Sequence, residues 1–166
     1  MSKRVKFSFD KLSSRRYRML WEYLEKILGV DPSKYLPKQL YVTCFDEYCI
    51  IHEKAGREDK ATLLYSGRWI GLIVHGKTCL STYLYEEIYR ERGYRAAIVV
   101  GDTGVKNFLY GRDVLEESIV EKYPPLNSQV AVIDQSDYRV IGVAEPIKEG
   151  VYRNIYDIGI FLRVIA

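Results

Sequence analysis

Apolar positions change period along this chain. Between Ser13 and Leu28, the residues Tyr17, Leu20, Trp21, Leu24, Ile27 and Leu28 recur at intervals of three and four, which predicts a helix with one inward stripe. Ser13 is placed to cap its start and Gly29 its end, and Asp31-Pro32 stops any continuation. From Leu40 the period shortens to that of strands. LYVTCF and EYCIIHE flank Asp46 and predict a hairpin, and the polar run 52–60 follows as a connection. The next stretch predicts two or three strands, then a helix from about Ser81 to Arg92 that turns Leu84, Ile88 and the ring faces of Tyr85 and Tyr89 inward and ends at Gly93.

In the second half, Ala96 to Val100 is β-branched and apolar enough for a buried strand, and Gly101, Asp102 and Gly104 punctuate it. In GVKNFLYG, Val105, Phe108 and Leu109 lie at helical spacing and Gly111 stands where a one-turn helix would stop, leaving Lys106 and Asn107 outward. Pro124-Pro125 marks a rigid loop. The short runs QVAVID, YRVIGVAE, VYRNIY and IGIFLRVI then predict strands of a small barrel or sandwich. The fold class expected is α+β. Residues 1–93 form an antiparallel sheet with helices, and residues 94–166 a small β-barrel with one short helix, joined without a long linker.

Charge refines this picture. The net charge of +3 is unevenly spread: residues 1–28 hold eight Lys/Arg against three Asp/Glu, whereas residues 94–166 hold eight against ten. Any polyanion bound by the second half must therefore meet a local basic patch rather than a general field. No apolar run approaches the roughly 20 residues of a membrane span, and the N-terminus lacks an apolar signal core, so a cytoplasmic protein without membrane attachment is expected. Three cysteines are too few for a secreted disulfide scaffold.

Several motifs invite chemistry. GLIVHGKT at 71–78 satisfies the phosphate-loop pattern, in which Gly71 and Gly76 would free backbone amides, Lys77 would neutralise phosphate and Thr78 would hold magnesium. The runs AAIVVGD and VAVID could supply the magnesium-side aspartate. Leu72, Ile73 and Val74 are, however, bulky strand formers where that loop needs adaptable dihedrals. Cys44, Cys49, His52, His75 and Cys79 have irregular spacing for zinc, and strand alternation offers Cys44 and Cys49 instead as facing thiols or a disulfide. The pairs Glu86-Glu87 and Glu116-Glu117 are adjacent on expected helices, where side chains diverge by about 100°. Neither histidine has a nucleophile arranged beside it in sequence. No enzyme constellation, metal or cofactor is expected.

Cations remain. Lys106 and Arg112 flank the glycine-bounded helix, Arg139 begins a late strand, and Lys148, Arg153 and Arg163 are spread over strands that could lie side by side. Tyr110 or Tyr152 could stack on an exposed base. Arg15, Arg16 and Arg18 form a second basic group at the start of the first helix, where they oppose the helix dipole.

The residues Gly104, Phe108, Leu109, Gly111, Val114, Leu115 and Ile119 resemble the opening of the PUA domain, the RNA-binding module of pseudouridine synthases and archaeosine transglycosylases. In that family the glycine-bounded helix and a nearby strand form the face that RNA approaches. This chain departs at Ser118, where many members carry glycine. A wider resemblance takes in Gly67, Gly71, the segment Lys77 to Tyr89, FLYG at 108–111 and DIGIFLR at 157–163. In that order they look like the Nip-seven (nuclear import seven homologue) family of ribosome biogenesis, of archaeal type. The resemblance implies a non-enzymatic assembly factor for the large ribosomal subunit, with pre-ribosomal RNA, uridine-rich single strands among it, bound by the PUA domain. Lys148 and Arg153 would lead the RNA contacts, and other assembly proteins would meet the N-terminal domain. It also implies that GLIVHGKT is strand, turn and strand. Two alternatives from other classes are a phosphate-loop enzyme using Lys77 and Thr78, and an accessory subunit that positions a separate RNA-modification enzyme.

Overall fold

A computed structural model describes residues 7–53 and 67–160. The chain divides into two compact units, Met1–Leu84 and Tyr85–Ala166. That division falls ahead of Gly93, inside the helix that precedes it.

In the first unit, the expected helix α1 spans Ser14–Glu22, and the Ser13 side chain accepts the Arg16 N–H as its N-cap. It continues as a π-helical turn, Tyr23–Ile27, so the stripe reaches Leu28 in a wider coil than its spacing suggests. Leu20, Leu24 and Leu28 are buried as expected. The sheet beside it has the order β1-β2-β3-β4-β5, with every pair antiparallel. Its strands are β1 Phe7–Lys11, β2 Tyr41–Phe45, β3 Tyr48–His52, β4 Trp69–Val74 and β5 Lys77–Leu80. The sequence reading did not find β1, an edge strand exposed along its whole length and so lacking a continuous apolar signal.

Two sequence questions close here. Cys44 and Cys49 stand opposite each other across the β2–β3 hairpin, with Cα atoms 4.0 Å apart, and are joined by a disulfide. Their sulfurs are therefore not metal ligands. His52 is fully buried with Nε2 2.9 Å from the Thr43 hydroxyl, and among the described residues no cluster of His, Cys, Asp and Glu could hold a metal ion. GLIVHGKT is a β-hairpin, β4 to β5, turning at His75 and Gly76. Both have positive φ, 48° and 76°, the signature of a type I′ turn. A phosphate loop wraps its ligand between a strand and a helix N-terminus. Here Lys77–Leu80 pairs back on β4 as a strand instead, and a Cβ on Gly71 would sit 2.3 Å from the Cys79 carbonyl oxygen across the sheet. Gly71 serves close strand approach, and Arg16 occupies the turn by donating to Thr78 Oγ1 at 2.7 Å and to the Gly76 carbonyl at 3.2 Å.

The second unit takes in most of α2 (Thr82–Arg92) and then β6 Ala97–Val100, α3 Asp102–Leu109, β7 Val114–Leu115, a 3-10 turn Glu116–Ser118, β8 Ile119–Tyr123, β9 Val130–Asp134, β10 Val140–Lys148 and β11 Val151–Asp157. The six strands form a curled half-barrel sheet in the order β7-β11-β10-β9-β6-β8. Its neighbours are antiparallel except β6 and β9, which run parallel with Ala97 opposite Ala131. These are the AAIVVGD and VAVID runs. The crossover between them is α3, β7 and β8, a connection long enough for a parallel pair. Ile98, Val100, Phe108, Val130, Val132 and Ile141 fill the concave core. At Gly142 a Cβ would meet the Phe108 ring at 2.7 Å, so glycine there lets the helix seat its phenylalanine against β10.

Helix α3 has eight residues rather than one turn, because Val105 N–H already reaches the Gly101 carbonyl at 2.9 Å. Gly111, at φ 86°, ends it as expected. The run expected as the last strand begins with a turn at Ile158 and Gly159, and its remainder lies outside the described residues. No helix among the described residues is long and apolar enough to cross a membrane.

Candidate nucleic-acid interface

The site grows from the packing of α3. A Cβ on Gly104 would lie 2.8 Å from the Cβ of Ser118 and 3.2 Å from that of Val100. Glycine at 104 thus brings the helix against the segment that follows β7, and Ser118 fills that contact, its hydroxyl donating to the Leu115 carbonyl at 2.8 Å. The far end of α3 is latched by Asn154 of β11. Its side-chain amide donates to the Phe108 carbonyl at 2.9 Å and to Asp157 Oδ2 at 3.0 Å, and its backbone N–H to Asp113 Oδ1 at 3.0 Å. These bonds fix the loop that carries Arg112, whose Nη1 donates to Asn107 Oδ1 at 3.2 Å. A cleft of about 370 Å³ opens here, lined by Thr103, Gly104, Asn107, Arg112, Leu115 and Ser118 among others. Lys106 on the same helix and Tyr110 at its C-cap stand exposed, Tyr110 at 77%.

On the other side of residues 114–118 lies the tip of the β10–β11 hairpin. The Glu116 N–H donates to the Gly150 carbonyl at 2.8 Å, tying the tip to the 3-10 turn. A larger cavity of about 650 Å³ follows, to which Lys122, Asn127, Lys148 and Gly150 contribute. Lys122 is paired with Glu116, and that hydrogen bond raises its pKa above the ordinary lysine value. Lys148 is exposed and paired in register with Val151, and Arg153, also exposed, stands opposite Glu145.

The structure therefore places Lys106, Arg112, Lys148 and Arg153 on segments that border residues 114–118. Asp113, Glu116 and Glu117 share that border, which keeps the field local, as the charge count requires. Arg139 lies elsewhere. It precedes β10, at the opposite end of that nine-residue strand from Lys148, a separation of roughly 30 Å. Its Nε donates to Glu86 Oε1 at 2.8 Å. Arg163 lies outside the described residues. Of the two tyrosines read as stacking candidates, Tyr110 is free to stack, whereas Tyr152 is 7% exposed and belongs to the core. Lys122, Asn127 and Asn154 were missed. Exposure alternates along IVEKY and leaves Lys122 on the open face, but its residue types do not alternate, so the sequence carried no such signal for the first.

Comparison with known proteins bears on what such an arrangement is for. Residues 96–166 match the model of the UPF0113 PUA domain. The C-terminal segment is thus similar to a PUA domain. The matched segment carries α3 and the cations that flank it. Solved structures share the fold across most of the chain. A conserved PUA domain protein from Thermoplasma acidophilum matches at TM-score 0.60 and 17% identity, over 96% of this chain and all of that one. A hypothetical protein from Pyrococcus horikoshii OT3 matches at TM-score 0.63 and 16% identity, over 96% and 100%. A PUA domain from Aeropyrum pernix K1, solved as a tartrate complex, matches at TM-score 0.56 and 13% identity, over 93% and 88%. No curated protein matches the chain.

Proposed function

We propose that this protein is a non-enzymatic assembly factor of the large ribosomal subunit that binds pre-ribosomal RNA through its PUA domain. What supports RNA as the ligand is one observation: the segment that matches the PUA model also holds four cations around residues 114–118, beside a glycine-seated helix and an exposed tyrosine. Two clefts flank that segment, so an extended strand crossing it would meet cation and groove in alternation. The first unit would meet other assembly proteins, and the protein would act in the cytoplasm. The ribosomal assignment is supported by the order of glycines and apolar segments across both halves that resembles the Nip-seven family.

Crosslinking the protein to RNA in cells and sequencing what is attached tests this. Enrichment of precursor ribosomal RNA, uridine-rich single strands included, is the expected result. Recovery dominated by transfer RNA, with a modification enzyme co-purifying, would replace it by the accessory-subunit reading.

A further inference from the structure

The second unit has another cleft, at the opposite end of β10 from Lys148. It measures about 330 Å³ and is lined by Glu86, Tyr89, Arg90, Tyr94, Tyr138 and Arg139, together with Val140. Three features set it apart. First, it is aromatic and partly open: Tyr94 and Tyr138 are 37% and 40% exposed, with ring centroids 6.1 Å apart and planes 34° apart. Second, the rings are held from behind. Tyr123 and Tyr138 both donate their hydroxyls to Glu121, Tyr123 at 2.5 Å, and Tyr94 packs on Tyr123 at 5.1 Å and on Tyr89 at 5.2 Å. Third, Tyr138 sits at φ 55°, a conformation a bulky residue adopts only when its surroundings impose it. The turn does so, with Tyr138 N–H donating to the Asp134 carbonyl at 2.8 Å and Asp134 N–H to the Arg139 carbonyl at 2.9 Å.

Two guanidinium groups complete the cleft. Glu86 accepts from Arg139 Nε at 2.8 Å and from Val140 N–H at 3.1 Å, which orients Arg139 through one nitrogen and leaves its terminal nitrogens to a ligand. Arg90 is exposed on α2 with no ion pair among the described residues. Preset aromatic faces beside paired planar cations suit a flat base joined to a phosphate, because the rings stack on any base and the guanidiniums meet phosphate oxygens bidentately.

We infer that this cleft is a second RNA contact, taking one unpaired nucleotide with its base over Tyr94 and Tyr138 and its phosphate at Arg90 and Arg139. The inference rests on the RNA-binding reading above and adds a place for a strand to be held at the opposite end of β10 from Lys148.

The test uses the full chain and a single-stranded oligouridylate carrying photoreactive 4-thiouridine. Binding is followed by fluorescence anisotropy, and crosslinked peptides are mapped by mass spectrometry. Crosslinks at Tyr94 or Tyr138 are expected. Tyr94→Ala and Arg90→Glu should each weaken binding by about five- to a hundredfold, as loss of one stacked base or phosphate contact would, while Tyr94→Phe, which keeps the ring, should bind as the natural chain does. Arg90 is exposed, so Arg90→Glu decides the matter if Tyr94→Ala fails to fold. If Arg90→Glu and Tyr94→Ala bind normally while Lys106→Glu with Arg112→Glu does not, RNA binding stands and the cleft inference falls. If the natural chain binds no oligonucleotide, both fall.

Discussion

Gly104 and Ser118 touch so closely that a single methyl group at position 104 would lie 2.8 Å from the serine Cβ. The helix that presents Lys106 is thus positioned by an absent side chain, and Ser118 fills the packing contact against it.

Gly104→Ala should therefore destabilise the second unit by about 1–3 kcal/mol through overpacking. Chemical denaturation of the variant measures this. Adding Ser118→Gly should restore only part of the loss, because Val100 Cβ remains 3.2 Å from the new methyl. Full restoration, or no loss from the single change, would contradict the contact as the cause.

Arg16 holds the β4–β5 turn through Thr78 Oγ1 and the Gly76 carbonyl. Arg16→Met removes both bonds while keeping the aliphatic stem, and should cost about 1–2 kcal/mol of stability in the first unit. Denaturation followed at the tryptophans, both in that unit, would register it. An unchanged midpoint would mean that the two bonds contribute nothing.

Glu121 gives the cleft region a pH dependence with a definite sign. The hydroxyls of Tyr123 and then Tyr138 hold its carboxyl below the ordinary glutamate value of 4.5. The unfolded chain therefore takes up its proton at higher pH than the folded one. Stability from Glu121 is present above pH 4.5 and lost as pH falls through the lowered folded value. At the alkaline end the same hydrogen bond raises Tyr123 from 10.0 to about 12, so its contribution is intact below pH 10 and lost as pH rises toward about 12. Replacing Glu121 by Gln should flatten both slopes in melting temperature against pH. Slopes identical to those of the natural chain would show that the two tyrosines draw their stability from packing alone.

Lys106, Arg112, Lys148 and Arg153 border one segment, and each phosphate they neutralise should steepen the salt dependence of RNA affinity. For a single strand, the slope of log affinity against log salt should shrink by about 0.7 for each contact removed. Neutralising Lys148 and Arg153 with glutamine, and separately Lys106 and Arg112, while titrating salt would count the contacts on each side of residues 114–118. A slope unaltered by either pair would place the strand on another surface.

Much of this architecture was legible from patterns of neighbours. Ser13, the α1 stripe, the β2–β3 hairpin and the glycines that end helices depend on residues a few positions apart, and the structure keeps them. What was missed depends on distant partners. Phe7 and Phe9 of β1 gain their place from β2, more than thirty residues on, and are exposed, so no buried face announced them. The parallel pairing of β6 with β9 has no local sign at all. At the site, the cations around α3 could be named from sequence, but Arg139 could not be separated from them until β10 showed its length. Asn154 illustrates the remaining limit. Its partners lie on a helix end, a loop and its own strand, and nothing in RNIY marks it as the latch.

The pairing of β6 with β9, and of β7 with β11, has a consequence for how the chain comes into being. A nascent polypeptide leaves the translating ribosome N-terminus first, and β6 and β7 emerge well before the strands that must lie beside them. Until Asp157 is free, the apolar runs at 97–100 and 130–133 have no finished sheet to shelter them. A molecule cut short within β11 would leave β7 without its partner and β10 without a neighbour on one side.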